Sequence, residues 1–201
     1  MERSTIFSGF GGQGILFAGT VLARAATAEG FEVLWIPSYG PEMRGGTASC
    51  TVIVADEPIG SPIVDHADAV VALNPPSMAK FESLVAPGGL LVVNTSLIEA
   101  EPSRRDLEIV AIPCTALAKQ AGDDRLVSVV ALGALLARRP FLPIEAIRDA
   151  LAAVLARKGL DILTADLAAL DLGFEAGLDV RGAAGAGVAT VVGAAGPDTT
   201  T

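Results

Sequence analysis

Aromatic residues make up only 4% of this 201-residue chain, so its core must be built from Ala, Val, Leu and Ile. Cysteine is equally scarce. Cys50 and Cys114 are the two present and no C-x-x-C pair occurs, which excludes a disulfide framework and a thiolate-held metal or cluster of ordinary spacing. The single histidine, His66, cannot build a histidine-rich site. All three side chains read as structural rather than reactive. Positive charge is also short: 14 Lys and Arg stand against 23 Asp and Glu, a net charge of −9, which makes a nucleic-acid backbone a poor partner. A membrane span is missing too. Residues 4–23 carry no charge, but their five glycines and Gln13 make a poor spanning or secretory helix. The chain is therefore expected to start at Met1 and to work in the cytoplasm, away from membranes.

What is present is 51% hydrophobic sequence, ample for a buried core and incompatible with disorder of the whole. Residues 4–8 form a short apolar run, Gly9-Phe10-Gly11-Gly12-Gln13-Gly14 follows at once, and residues 15–28 place apolar side chains at helical spacing. Strand, glycine turn, helix is the implied order. Gly9, Gly11 and Gly14 match G-x-G-x-x-G, whose glycines permit a tight turn and close approach of a ligand to bare backbone. Unpaired N–H groups at the helix start then favour a phosphate or carboxylate. The other reading is a tight turn whose glycines serve packing alone. A nicotinamide enzyme places an acid at the end of its second strand. Here residues 31–36 end in Pro37, Ser38 and Tyr39, with Glu32 too early and Glu42 too late, so nicotinamide binding is disfavoured.

Further strands are expected at 47–55, 69–73, 90–93 and 109–112, with 59–64 as an edge strand or loop because Pro58 and Pro62 interrupt it. Asn74-Pro75-Pro76 stops one strand and starts a helix over 77–85, and Pro87-Gly88-Gly89 reads as a turn. Alternating strands and helices imply an α/β, Rossmann-like, doubly wound and mostly parallel sheet, with ligands beyond the carboxyl ends of its strands. From Leu126 the pattern is helical only: 126–138, 144–157 and 161–176. The first of these is apolar nearly all round, hence buried, with burial under another subunit the favoured expectation. Residues 1–177 are read as one domain with a helical part over 125–177, and 178–201 as a Gly/Ala-rich mobile tail.

The glycine turn, the segment Ser38-Tyr39-Gly40-Pro41-Glu42-Met43-Arg44-Gly45-Gly46, and Asn74-Pro75 after a buried strand together resemble the gamma subunit of the 2-oxoacid:ferredoxin (acceptor) oxidoreductases. The resemblance runs from about Ser4 to Gly177. Tyr-Gly-Pro-Glu is closer to the 2-oxoglutarate and branched-chain 2-oxoacid branch than to the indolepyruvate branch, while Met43 is larger than the pattern suggests. Membership implies a complex that decarboxylates a 2-oxoacid (2-oxoglutarate, 2-oxoisovalerate or pyruvate) on thiamine diphosphate with magnesium. Two electrons pass through iron-sulfur clusters to ferredoxin, and the acyl group goes to coenzyme A. It implies alpha and beta partners, with delta in some complexes, and self-association when isolated.

This chain shows no cluster motif and no thiamine diphosphate segment, so it is expected to hold no cofactor alone and to supply binding, orientation or closure. Gly11, Gly12, Gln13, Gly14, Ser38, Tyr39, Gly40, Glu42, Arg44, Gly45, Gly46, Asn74 and Asn94 are the candidate contacts. Backbone amides there can receive an anion, and Arg44 can bind phosphate or carboxylate in bidentate fashion. Alternatively Arg44 pairs with Glu42 or a partner's acid, Gln13 caps the turn, and the two asparagines tie strand ends. A purely scaffolding subunit, or a free-standing nucleotide-dependent oxidoreductase, are the competing readings.

Overall fold

The computed structural model describes residues 1–38 and 47–180. Its elements in order are β1 (Glu2–Phe10), α1 (Ile15–Ala28), β2 (Glu32–Ser38), β3 (Thr47–Ala55), β4 (Ala67–Ala72), α2 (Pro75–Phe81), β5 (Val85–Asn94), β6 (Glu108–Ile112), α3 (Cys114–Ala121), α4 (Val127–Arg138), α5 (Ile144–Leu155) and α6 (Leu160–Asp179). Short 3-10 turns at Glu82–Leu84 and Asp124–Leu126 join α2 to β5 and lead into α4. The six strands form one sheet in the order β2-β3-β1-β4-β5-β6. β1, β4, β5 and β6 run parallel, whereas β3 is antiparallel to both β1 and β2. The mostly parallel α/β reading holds, with an antiparallel β2–β3 hairpin the sequence reading did not specify.

Alternation along each strand sorts side chains onto two faces. Phe7, Val52, Val71, Val92 and Val110 point to one face, where α1, α3, α4, α5 and α6 cover them. Ile6, Val70, Leu91 and Val93 point to the other, under Met78 and Phe81 of α2 and under Ile98 and Leu107 of the β5–β6 connection. Strands β4 and β5 are thus apolar on both sides, as buried parallel strands must be.

Of the two readings of residues 59–64 the loop is found and not the edge strand, in keeping with Pro58 and Pro62, which remove ladder donors. Other expectations change. The helix expected over 77–85 ends at Phe81, and Pro87-Gly88-Gly89 lies inside β5 rather than in a turn before it. There the ladder steps from Ala67↔Val85 to Ala69↔Leu90, so the intervening residues bulge out, with Gly88 at φ 72°. Finally, every residue of α4 from Val127 to Leu136 is buried by the chain itself, not by a second subunit. The helix α6 provides most of that cover. A Cβ on Gly173 would lie 1.9 Å from the Val130 carbonyl oxygen, and one on Gly133 2.2 Å from that of Leu170, so the two backbones touch through glycine. Gly177 packs the same way on Ala134, and α6 continues to Asp179, past the expected end of the helix at 176.

Ion pairs fasten these helices. Arg138 Nε donates to Glu108 Oε1 at 2.6 Å and Arg139 pairs with the other oxygen, tying the end of α4 to the start of β6. Burial pushes the Glu108 carboxyl up, but the bonds from Arg139 and Arg138 outweigh it and hold it below the ordinary range. Among the described residues no helix is long and apolar enough to cross a membrane.

Candidate functional site

The carboxyl ends of β1, β4, β5 and β6 share one rim of the sheet, and the glycine turn leaves from it. Gly12 and Gly14 adopt φ 95° and 75°, left-handed conformations that favour glycine, and Gly14 begins α1 with no side-chain cap. Gly11 and Gly12 are exposed, and a Cβ on Gly12 would meet nothing within 4 Å. Among the described residues no carbonyl takes the N–H of Gly11, Gly12 or Gly14. Open backbone donors at the start of a 14-residue helix make an anion-compatible surface.

Gln13 holds that turn in shape. Its Oε1 accepts from Phe10 N at 2.6 Å and from Asn74 Nδ2 at 3.3 Å, while its Nε2 donates to Leu73 O at 3.4 Å. Gly9 makes room for it: a Cβ there would stand 2.5 Å from Gln13 Oε1. Asn74 is wholly buried and caps α2, its Oδ1 accepting from Ser77 N at 2.9 Å. Asn94 is equally buried. Its Nδ2 donates to Leu73 O at 3.2 Å and to Thr115 Oγ1 at 3.0 Å, linking the ends of β4, β5 and β6. Both asparagines therefore bind strand ends to one another, while the glycine turn carries exposed donors at the rim.

The segment containing Tyr39, Gly40, Glu42, Arg44, Gly45 and Gly46 lies outside the described residues. Its two anchors do not. Ser38 pairs with Ser49, and Thr47 pairs with Phe10, so the segment leaves and re-enters the sheet beside the glycine turn. Sequence reasoning missed the wall on the turn's other side. Ser128, at the start of α4, donates from Oγ to Gly14 O at 3.0 Å, and the Arg125 carbonyl would be 3.4 Å from a Cβ on Gly14. Arg125 itself donates from Nε to both oxygens of Asp123, at 3.0 and 2.9 Å. Those bonds hold the Asp123 carboxyl down at about 2.

Both cysteines are buried, Cys50 under α1 and Cys114 at the start of α3 beside Thr115. Burial pushes each thiol up to about 12, with Cys50 Sγ on the Ile15 carbonyl beneath α1. Among the described residues no three His, Cys, Asp or Glu side chains converge as a metal site would require.

A family model described as pyruvate ferredoxin/flavodoxin oxidoreductase matches residues 4–176. The ketoisovalerate oxidoreductase subunit VorA of Methanothermobacter marburgensis is 41% identical over 130 residues, covering 65% of this chain and 27% of that protein. The chain thus spans well under half of that relative's length. The keto/oxoacid ferredoxin oxidoreductase gamma subunit from Geobacter sulfurreducens PCA superimposes with a TM-score of 0.79 at 31% identity, over 89% of this chain and 97% of that one. A 2-oxoglutarate:ferredoxin oxidoreductase from Magnetococcus marinus, solved with 2-oxoglutarate, coenzyme A and succinyl-CoA bound, matches at TM-score 0.80 and 25% identity, over 88% of this chain and 31% of that one. A family match along most of the sequence, and a solved neighbour of nearly the same extent, agree with the rim just described: the chain belongs to the pyruvate ferredoxin/flavodoxin oxidoreductase family.

Proposed function

We propose that this chain is the gamma subunit of a cytoplasmic, multi-subunit 2-oxoacid:ferredoxin oxidoreductase, and that its rim forms part of the approach for coenzyme A. The observation that carries the second half is the shared location of the open glycine turn and the anchors of the Arg44 segment at one end of the sheet. Coenzyme A brings phosphates, which suit backbone N–H groups and a guanidinium. The gamma-subunit assignment is supported by the Geobacter chain, which this one covers almost end to end. Ketoisovalerate and 2-oxoglutarate in the relatives' names support a branched-chain or dicarboxylic 2-oxoacid, with pyruvate the remaining choice.

The described residues do not fit a metal or cluster site. Thiamine diphosphate, magnesium and iron-sulfur clusters are assigned, as the family resemblance implies, to the partner subunits, with ferredoxin as acceptor. When bound there, thiamine diphosphate supplies the carbanion chemistry of decarboxylation. This chain's part is to present the backbone amides of Gly11, Gly12 and Gly14, kept in place by Gln13, beside Ser38 and Thr47, the anchors of the Arg44 segment.

The test is Arg44→Ala in the assembled complex. Loss of a charge-assisted bond of roughly 1.5–3 kcal/mol should raise the Michaelis constant for coenzyme A about 10- to 150-fold, leaving that for the 2-oxoacid near its starting value. An unchanged constant in an intact complex would make the Arg44 segment an interface alone.

A further inference from the structure

Gln13 braces the glycine turn from within, and α4 closes its other side from far along the chain. Among the described residues a single hydrogen bond joins the helices after residue 126 to that turn: Ser128 Oγ donates to Gly14 O at 3.0 Å. Ser128 is fully buried, so its hydroxyl has no water to bond instead. A Cβ on Gly14 would stand 2.5 Å from the same hydroxyl oxygen, so the approach itself requires glycine at 14. The serine is also held in place. Its helix touches α6 through Gly173 and Gly177 and is tied at its far end to Glu108 of β6.

Gly14 O accepts a second bond, from Ala18 N at 3.0 Å, the first helical bond of α1. A carbonyl and the N–H that follows it share one plane and point in opposite directions when the peptide bond is trans, as all are among the described residues. Fixing the Gly14 carbonyl therefore fixes the Ile15 N–H. That donor points out of the start of α1, at the rim, and no intrahelical carbonyl can take it. Gly14 has neither a capping side chain nor a Cβ to resist rotation of this peptide unit.

We propose that Ser128 is a positioning residue of the glycine turn: its hydroxyl pins the peptide unit between Gly14 and Ile15, so that the Ile15 N–H joins the amides of Gly11, Gly12 and Gly14 on one anion-facing surface. What the pinned donor does for coenzyme A rests on the function proposed above. The pinning itself is tested with no ligand present, so either can fail without the other.

The test is Ser128→Ala, which removes the hydroxyl and little volume. In the full chain without ligand, the order parameters of the Gly14 and Ile15 amides, measured by nitrogen-15 relaxation, should fall from the rigid value of about 0.85 toward 0.6. Ser128→Thr, which keeps a hydroxyl, should restore them. Val92→Ala, in the buried middle of β5, lowers the melting temperature without touching the turn and should leave them unchanged. In the assembled complex Ser128→Ala should raise the Michaelis constant for coenzyme A about 2- to 10-fold, with kcat near its starting value. Order parameters unchanged in Ser128→Ala, or lowered equally in Val92→Ala, overturn the proposal. Loss of order with an unchanged constant supports the pinning and counts against coenzyme A as the ligand. Should Ser128→Ala not fold, the Ser128 hydroxyl proton of the unsubstituted chain decides. A slowly exchanging resonance with a cross-peak to the Gly14 α-protons supports the proposal, and a freely exchanging one refutes it.

Discussion

Gln13, Asn74 and Asn94 stand at strand ends, where a sequence offers no distinction between an amide that touches a ligand and one that ties backbone. Burial makes the distinction: the two asparagines are wholly inside, with their partners within the chain, whereas Gly11 and Gly12 remain open. The glycine pattern itself was legible, because its residues are consecutive. Ser128 was not, since it reaches Gly14 across 114 positions and no local pattern marks that pairing. The cysteines allow a simple test at this scale. With both thiols raised to about 12 by burial, the native chain should react with an exposed-thiol reagent over hours rather than seconds at pH 8, and the unfolded chain should titrate two thiols at once. Rapid labelling of the native chain would show that one cysteine is not sealed in.

Among the elements, β4 and β5 were readable as short apolar runs, and α5 as a helix bounded by Pro143 and Gly159. The bulge at Pro87–Gly89 was not, because proline and glycine mark turns and bulges alike and only the ladder partner separates them. Gly173, inside the expected helix, and Gly177, at its end, carried no sequence mark of the surface through which α6 touches α4. Gly173→Ala should therefore be severe for so small a change. The new methyl meets the Val130 carbonyl, and the helices must separate, costing about 3 kcal/mol or roughly 6–12 °C in melting temperature. Thermal unfolding of the variant checks this. A melting temperature within 1–2 °C of the starting value would mean that the helices yield at little cost, about what exposed helix positions show.

For the molecule as a whole, the candidate surface is an edge of bare backbone, with Gly11 and Gly12 exposed at one rim of the sheet. Under the function proposed above, such an edge gains its meaning inside a larger assembly, where a neighbouring chain can close over it and exclude water. Hydrogen–deuterium exchange on the assembled complex, with and without coenzyme A, examines this directly. Peptides spanning the glycine turn, residues 9–16, should exchange at least several-fold more slowly when coenzyme A is bound, while peptides of β6 stay unchanged. Equal exchange at the turn under conditions that saturate the complex with coenzyme A would contradict the account.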